Sequence, residues 1–425
     1  MRKMKDSGIE WIGEMPDTWR LNKIGQLFNL RNKKVSDKLY APLSVSRSGV
    51  VTQMESVAKS DASDDRKLVL AGDFAINSRS DRKQSCGVSS LDGSVSLINL
   101  ILYVKDKNFI YVNYLNYLLK NYGFAEEFYK WGHGIVADLW TTRWQEMKRI
   151  VLPLPSASLQ QSITSFLDKK LAEVDKLIEV QQAQIEKLKE YKQSVITEAV
   201  TKGLDPSAPM KDSGIEWLGT VPENWSVKRA KYVATSIFKG NGITKEDIVI
   251  DGDTPCVRYG EIYTKYDISF EKCKTHTNKN KITVQQIFKN GDILFAGTGE
   301  LVEEIGKNIV YLGKELCLAG GDIIVFRHEQ NSKYMNYALY ATCSQMQKSY
   351  GKAKLKVVHI SSFEIGNIFV TVPPLSEQQQ IAEYLDDKCA KIDKLIALKQ
   401  DKTEKLNEYK KSLIYEYVTG KREVV

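Results

Sequence analysis

The chain has 425 residues, 42% of them hydrophobic and 27% charged, which is ordinary for a soluble globular protein and supplies apolar material for two cores. Its six cysteines stand singly with no CxxC pair, as reduced structural thiols do, which argues against a zinc site or a disulfide framework. A net charge of +8 and a pI near 8.8 permit binding to nucleic acid without requiring it, and the polar N-terminus, with no long apolar run after it, predicts a cytoplasmic protein without a membrane span.

The chain opens on Met4-Lys-Asp-Ser-Gly-Ile-Glu-Trp with Pro16 and Trp19 beyond it, and the same eight residues return from Met210 with Pro222 and Trp225. Trp11, Trp19 and their copies are expected to be core anchors that clamp the chain onto a helix end. From Leu21 to Pro155, short β-branched and aromatic runs alternate with turn residues, which predicts a mixed α/β globule. A Gly-Asp turn precedes a strand within 68–77, Ser94 to Lys105 reads as a second strand, and Tyr111 to Phe124 has helical spacing. The stretch from Asn77 to Gly87 sets Arg79, Arg82 and Lys83 among small polar side chains. Arginine grips guanine through two parallel hydrogen bonds, so this is a candidate DNA-reading loop, with a solvated loop as the equal alternative. Arg143 sits in a second basic cluster between Trp140 and Trp144, tryptophans expected to pack in the core.

Ser158 to Lys202 contains no proline or glycine and reads as one helix about 65 Å long at 1.5 Å per residue. Apolar residues recur at heptad spacing, Leu171, Ile178 and Ile185 in one row and Leu167, Val174, Leu188 and Val195 in the other. Leu177 and Tyr191 are expected to widen this seam, and Gln181 and Lys192 to interrupt it, as in a seam tuned for register. Gly203 and Pro206 end the helix in a short linker. Ser226 to Pro374 then repeats the first globule in diverged form, Asn290-Gly-Asp echoing Ala71-Gly-Asp and Tyr334-Met-Asn-Tyr echoing Tyr111-Val-Asn-Tyr. Its candidate DNA contacts are Arg258, Tyr259 and Lys265, and the alternating Lys352, Lys354 and Lys356, which a strand would set on one face. Leu375 to Lys421 repeats the long helix, with Leu385, Ile392, Ile396, Leu406 and Leu413 on the seam. Helices of this length do not fit inside one ordinary globule, so the two are expected to pack as struts. The segments are 1–155, 156–209, 210–374 and 375–425.

Catalytic signatures are missing. The chain has no GxxxxGK[ST] loop, no Asn/Asp-Pro-Pro-aromatic tetrad, no HExxH and no GxSxG, and its carboxylates lie mostly on the helices at spacings of solvated faces. Near-constant helices with divergent heads suggest two different targets held at a fixed distance. An enzyme with an unrecognised nuclease or methylase site, and a coiled-coil scaffold that never touches DNA, are the alternatives.

With these residues assembled, the chain resembles the specificity subunit of Type I restriction-modification systems. The likeness is carried by the two Met-Lys-Asp-Ser-Gly-Ile-Glu-Trp elements, the helix entry Pro374-Leu-Ser-Glu-Gln-Gln-Gln-Ile-Ala and the exit Ala199-Val-Thr-Lys-Gly-Leu-Asp. One departure is that the first helix entry, Pro155-Ser-Ala-Ser-Leu-Gln-Gln, keeps Gln160 and Gln161 but lacks the usual Glu. The resemblance implies two target recognition domains, each reading half of a split sequence in double-stranded DNA. It implies an antiparallel coiled coil that sets the spacer and docks two methyltransferase subunits, with restriction subunits joining through the complex. S-adenosylmethionine, ATP and Mg2+ would serve those partners, and this chain would bind no cofactor or metal and hold no catalytic residue.

Overall fold

The computed structural model describes residues 2–53, 65–134, 140–278, 286–353 and 357–424. The chain divides into two compact units, Met1–Gln182 with Gln400–Val425, and Ala183–Lys399. Each is a mixed α/β globule packed on parts of two helices, Ala157–Lys202 and Leu375–Val418.

The first unit is built on a four-stranded antiparallel sheet in the order Cys86–Val88, Phe74–Asn77, Asn99–Val104, Phe28–Leu30. The predicted strand from Ser94 to Lys105 is two, Gly93–Ser96 and Asn99–Val104, because the chain turns at Leu97 and Ile98 to enter a different sheet. Likewise Tyr111 to Phe124 is not one helix. It breaks at Asn121, whose side chain caps the helix Tyr122–Lys130 by accepting from Phe124 N–H at 3.0 Å. In the second unit a five-stranded sheet runs Ala234–Lys239, Ile323–His328, Ile293–Ala296, Asn308–Tyr311, Ser269–Phe270, beside a four-stranded sheet centred on Thr254–Val257 and Cys317–Ala319.

The echoing Gly-Asp turns do the same work in both units. Asp73 and Asp292 are buried, and each caps its own turn through a backbone N–H, from Leu70 and from Lys289, at 2.9 Å. Each also takes a two-pronged arginine, Arg31 on Asp73 at 2.6 and 3.0 Å and Arg327 on Asp292 at 3.0 and 2.7 Å. Neither arginine is predictable from its neighbours in sequence, because the partner arrives from another strand.

Within each unit the long helices pack antiparallel. In the first, Leu167 and Leu171 share a core with Leu413, Tyr417 and Val418, and Phe166 lies against Tyr417 at 4.6 Å between ring centres. In the second, Val195, Ile196 and Ala199 meet Ile381, Leu385 and Cys389. Leu167, Leu171, Val174, Ile178, Ile185, Val195, Leu385, Ile392 and Leu413 are buried as expected, and Leu188, Ile396 and Leu406 are half-buried. Two seam expectations need correction, since Leu177 and Tyr191 face solvent, whereas Gln181 and Lys192 lie buried within the seam as the polar interruptions expected there. Lys192 can be there because Asp393 of the other helix takes its ammonium through both oxygens at 2.8 Å, with Asp267 at 3.5 Å. The matching residues of the first unit, Lys410 and Asp175, form the same ion pair. A charge pair inside an apolar seam penalises any slipped alignment, which fixes register.

The repeated N-terminal element seals the end of a long helix in each unit. Gly203 and Gly420 adopt left-handed backbone at φ +77° and +76°, and the tryptophan and proline of the following or preceding element pack on them, Trp225 and Pro222 on the first, Trp19 and Pro16 on the second. Tyr415 donates its hydroxyl to Trp11 O at 2.9 Å, and Lys421 and Arg2 cap carbonyls across the same contact. At Gly420 a Cβ would lie 2.5 Å from Pro16 Cδ, whereas at Gly8, φ +67°, it would meet nothing within 4 Å. Gly8→Ala therefore isolates the backbone cost, about 1 kcal/mol, and Gly420→Ala is expected to lower the unfolding free energy of the first unit by roughly 2 kcal/mol more. Denaturant unfolding of the two variants measures the difference, and equal losses would remove the packing argument.

Helix entry is organised by a buried glutamine. Gln160 accepts from Tyr111 N–H at 2.9 Å and donates to Phe109 O and Pro155 O, and Gln378 accepts from Asn331 N–H at 3.0 Å and donates to Pro373 O. The missing Glu has a defined consequence. Glu377 takes Trp225 Nε1–H at 2.6 Å and Asn224 Nδ2–H at 2.7 Å, and the first helix has Leu159 at that position, packed on apolar core instead.

Candidate nucleic-acid interface

In the first unit, folding brings three segments to one basic surface. Arg79 pairs through its backbone with Thr141, and Thr142 N–H donates to Ser78 O at 3.0 Å, so the loop after Phe74–Asn77 lies beside the segment carrying the exposed Arg143. Arg82 projects with its side chain 68% exposed and pairs with Asp81 at 3.5 Å. Lys83 is less available, because Glu126 holds its ammonium at 3.0 Å. Gln84 in the same loop takes left-handed backbone, φ 61°, unusual for a non-glycine residue. The tryptophans of the second cluster are structural as expected, Trp140 donating Nε1–H to Tyr129 O at 2.7 Å and Trp144 packing on the core.

A basic residue that the sequence reading passed over joins this surface. Leu43–Ser46 and Gly49–Thr52 form a two-stranded ribbon whose two-residue tip carries the exposed Arg47, and Arg47 Nε–H donates to Lys83 O at 3.3 Å. Buried Arg66 fixes the ribbon's base by donating to Leu43 O, Ser94 O and Ser94 Oγ. The available signal was Ser-Arg-Ser-Gly between two β-branched runs, which is hairpin chemistry.

In the second unit Arg258, Tyr259 and Lys265 do come together. They line a groove of about 470 Å³ whose other wall is Gly242 to Lys245 with Gly321 and Asp322. The two cations are held by one carboxylate, Glu261, from Lys265 Nζ at 2.8 Å and Arg258 Nη2 at 3.4 Å. Lys245, also on the groove, was not singled out from sequence. Lys352 is engaged within the fold, its ammonium donating to His359 O at 2.6 Å and pairing with Glu364 at 2.7 Å, which ties down the turn before the helix Ser362–Asn367. Lys354 and Lys356 lie outside the described residues.

A second kind of surface recurs on the helices. Leu177, Val180 and Tyr409 are 48%, 42% and 45% exposed in the first unit, around the Asp175–Lys410 pair. At the matching positions of the second unit, Leu395, Leu398 and Tyr191 are 48%, 57% and 54% exposed, around Asp393 and Lys192. Large apolar side chains are thus held in water at matching places on the two helices. Among the described residues there is no group of three or more His, Cys, Asp or Glu side chains placed to hold a metal, and no helix is long and apolar enough to cross a membrane.

Residues 222–408 match the family model described as Type I restriction modification DNA specificity domain. Over 96% of its length the chain is 24% identical to a protein of Methanocaldococcus jannaschii assigned as the type I restriction enzyme MjaX specificity subunit, covering 95% of that protein. It is 27% identical to the type I restriction enzyme MjaVIII specificity subunit of the same organism, over 64% of this chain and 62% of that one. Its fold is similar to a chain from a structure of complex assembly and conformational transition in the type I R-M system, with TM-score 0.70 and 14% identity over 95% of this chain and 98% of that one. The HsdS subunit from Thermoanaerobacter tengcongensis is also similar, with TM-score 0.50 and 16% identity over 96% and 98%.

Proposed function

We propose that the chain, which is similar to specificity subunits of Type I restriction-modification systems along nearly its whole length, reads DNA sequence for a complex whose other subunits carry the chemistry. Each unit reads one half of a bipartite target in double-stranded DNA. The first uses the surface of Arg47, Arg79, Arg82 and Arg143, and the second the groove of Arg258, Tyr259, Lys265 and Lys245. The paired helices set the spacer, and their two apolar surfaces dock two methyltransferase subunits, through which the restriction subunits join. Those partners use S-adenosylmethionine, ATP and Mg2+ in the cytoplasm, and this chain is non-catalytic.

One observation carries this reading. Helix features recur residue for residue, ion pair with ion pair and apolar trio with apolar trio, while the basic surfaces of the two units share almost nothing. A repeated surface fits two copies of one partner, and unlike surfaces fit two different base sequences.

The experiment is an exchange of Leu21 to Pro155 for the equivalent segment of a relative, followed by base-resolution mapping of methyladenine in host DNA. One half of the methylated sequence is expected to change while the other half stays. An assembled complex with both halves unchanged, or both lost, would show that the units do not read independently.

A further inference from the structure

The groove of the second unit is organised around a carboxylate, which a surface meeting a polyanion would ordinarily avoid. Glu261 is 3% exposed. Its Oε2 is fixed to the scaffold by Arg258 N–H at 3.0 Å and by Thr275 Oγ1 at 2.7 Å. Thr275 in turn lies on the strand Thr275–Thr277 paired with Thr254–Val257, which leads directly to Arg258. Oε1 faces outward and takes both cations of the rim, Lys265 at 2.8 Å and Arg258 at 3.4 Å. On the facing wall a Cβ at Gly242, and beside the cations one at Gly260, would meet nothing within 4 Å. Such a groove admits a bulky ligand close to the main chain.

Arginine and lysine side chains lose rotamer freedom when they are fixed, and ordering them before binding removes that loss from the binding step. A buried carboxylate costs free energy unless fully bonded, and this one accepts from four donors. Burial raises its pKa, but hydrogen bonds from Lys265, Thr275 and the Arg258 backbone outweigh burial, so it stays charged at neutral pH.

We propose that Glu261 is a positioning residue for DNA reading by the second unit, holding Arg258 and Lys265 side by side so that Arg258 meets a guanine edge in the major groove and Lys265 the neighbouring phosphate. This rests on the reading of the unit as a DNA-reading head. Removing a negative charge from a DNA-binding surface should tighten all binding. Removing Glu261 should instead weaken the cognate complex while leaving non-cognate binding equal or tighter.

The test uses the assembled methyltransferase complex, the target found by methylation mapping, and three duplexes: cognate, altered in the half-site of the first unit, and altered in that of the second. Glu261→Gln is expected to lower the cognate to non-cognate affinity ratio roughly tenfold, with the loss confined to the second unit's half-site. In an Arg258→Ala background the same change should add almost nothing. Thr275→Val leaves all charges in place and should lower the ratio in the same half-site by a smaller factor, which also decides the matter if Glu261→Gln does not assemble. Equal tightening on all three duplexes, or no effect of Thr275→Val, would make Glu261 a structural counter-charge and overturn the proposal. If the unaltered complex bound all three duplexes alike at every salt concentration, the DNA-reading premise itself would fall, and the proposal with it.

Discussion

Replacing Leu177 and Val180 with Glu in the first unit, and Leu395 and Leu398 with Glu in the second, is expected to leave the chain folded and abolish the proposed docking of methyltransferase subunits. All four side chains are 42% to 57% exposed, so the free chain loses little burial. At a formed interface the same changes bury charge without a partner. Central apolar contacts of this kind carry about 2 to 4 kcal/mol each, and an uncompensated buried carboxylate costs at least as much. Affinity for the partner should fall by roughly a thousandfold or more at each altered surface. Altering only one surface should leave one partner copy bound with ordinary affinity, because each trio lies wholly within its own unit. Sedimentation of the complex measures the number of copies, and circular dichroism checks the fold. Full assembly by the four-residue variant would remove the helices from the docking surface.

Alkaline pH is expected to stabilise the second unit through one buried lysine. Lys348 is 2% exposed, and burial pulls its ammonium down to a pKa of about 7, from an ordinary 10.5. Its Nζ lies 2.9 Å from Gly306 O and 3.0 Å from Asn308 Oδ1, and a neutral amine can still donate to both. Below pH 7 the group is protonated in both states and the full penalty for burying the charge is present. Between pH 7 and 10.5 only the unfolded chain holds the proton, so unfolding becomes more costly as pH rises, by about 1.4 kcal/mol per pH unit. The whole interval amounts to roughly 5 kcal/mol, and it is lost again as pH falls back through the folded-state value. Denaturant unfolding of the parent and of Lys348→Met between pH 6.5 and 10 isolates the effect, because other groups titrate alike in both. The difference in stability between the two should change with pH by several kcal/mol. A constant difference would mean that Lys348 stays charged inside the fold, held by its two oxygen acceptors and the face of Phe295 5.6 Å away.

The exposed leucines and the buried lysines mean little in the linear sequence. Leu177 is indistinguishable by spacing from its buried neighbours, and a seam that includes it is the natural reading. Lys192 reads correctly as an interruption of the seam, but its partner, Asp393 of the other helix, is not legible from its neighbours.

The sequence by itself determined the repeat, the two long helices, most of their seam, the glycine stops, the anchoring tryptophans and the mixed α/β character of the heads. These follow from local chemistry, from heptad periodicity, chain stops and β-branched runs, and from identity between two stretches of one chain, none of which needs a distant partner. The tertiary structure alone decided which cations are available. Arg258 and Lys265 converge because Glu261 turns inward to the hydroxyl of Thr275, and Lys352 is withdrawn because Glu364 lies within 2.7 Å of it. Arg47 reaches the basic surface because the base of its ribbon is bound by Arg66, a residue of the next described strand, Arg66–Val69. Charge is carried by single residues, but its availability is set by what folding brings within about 3 to 4 Å, and no periodicity in a sequence encodes that.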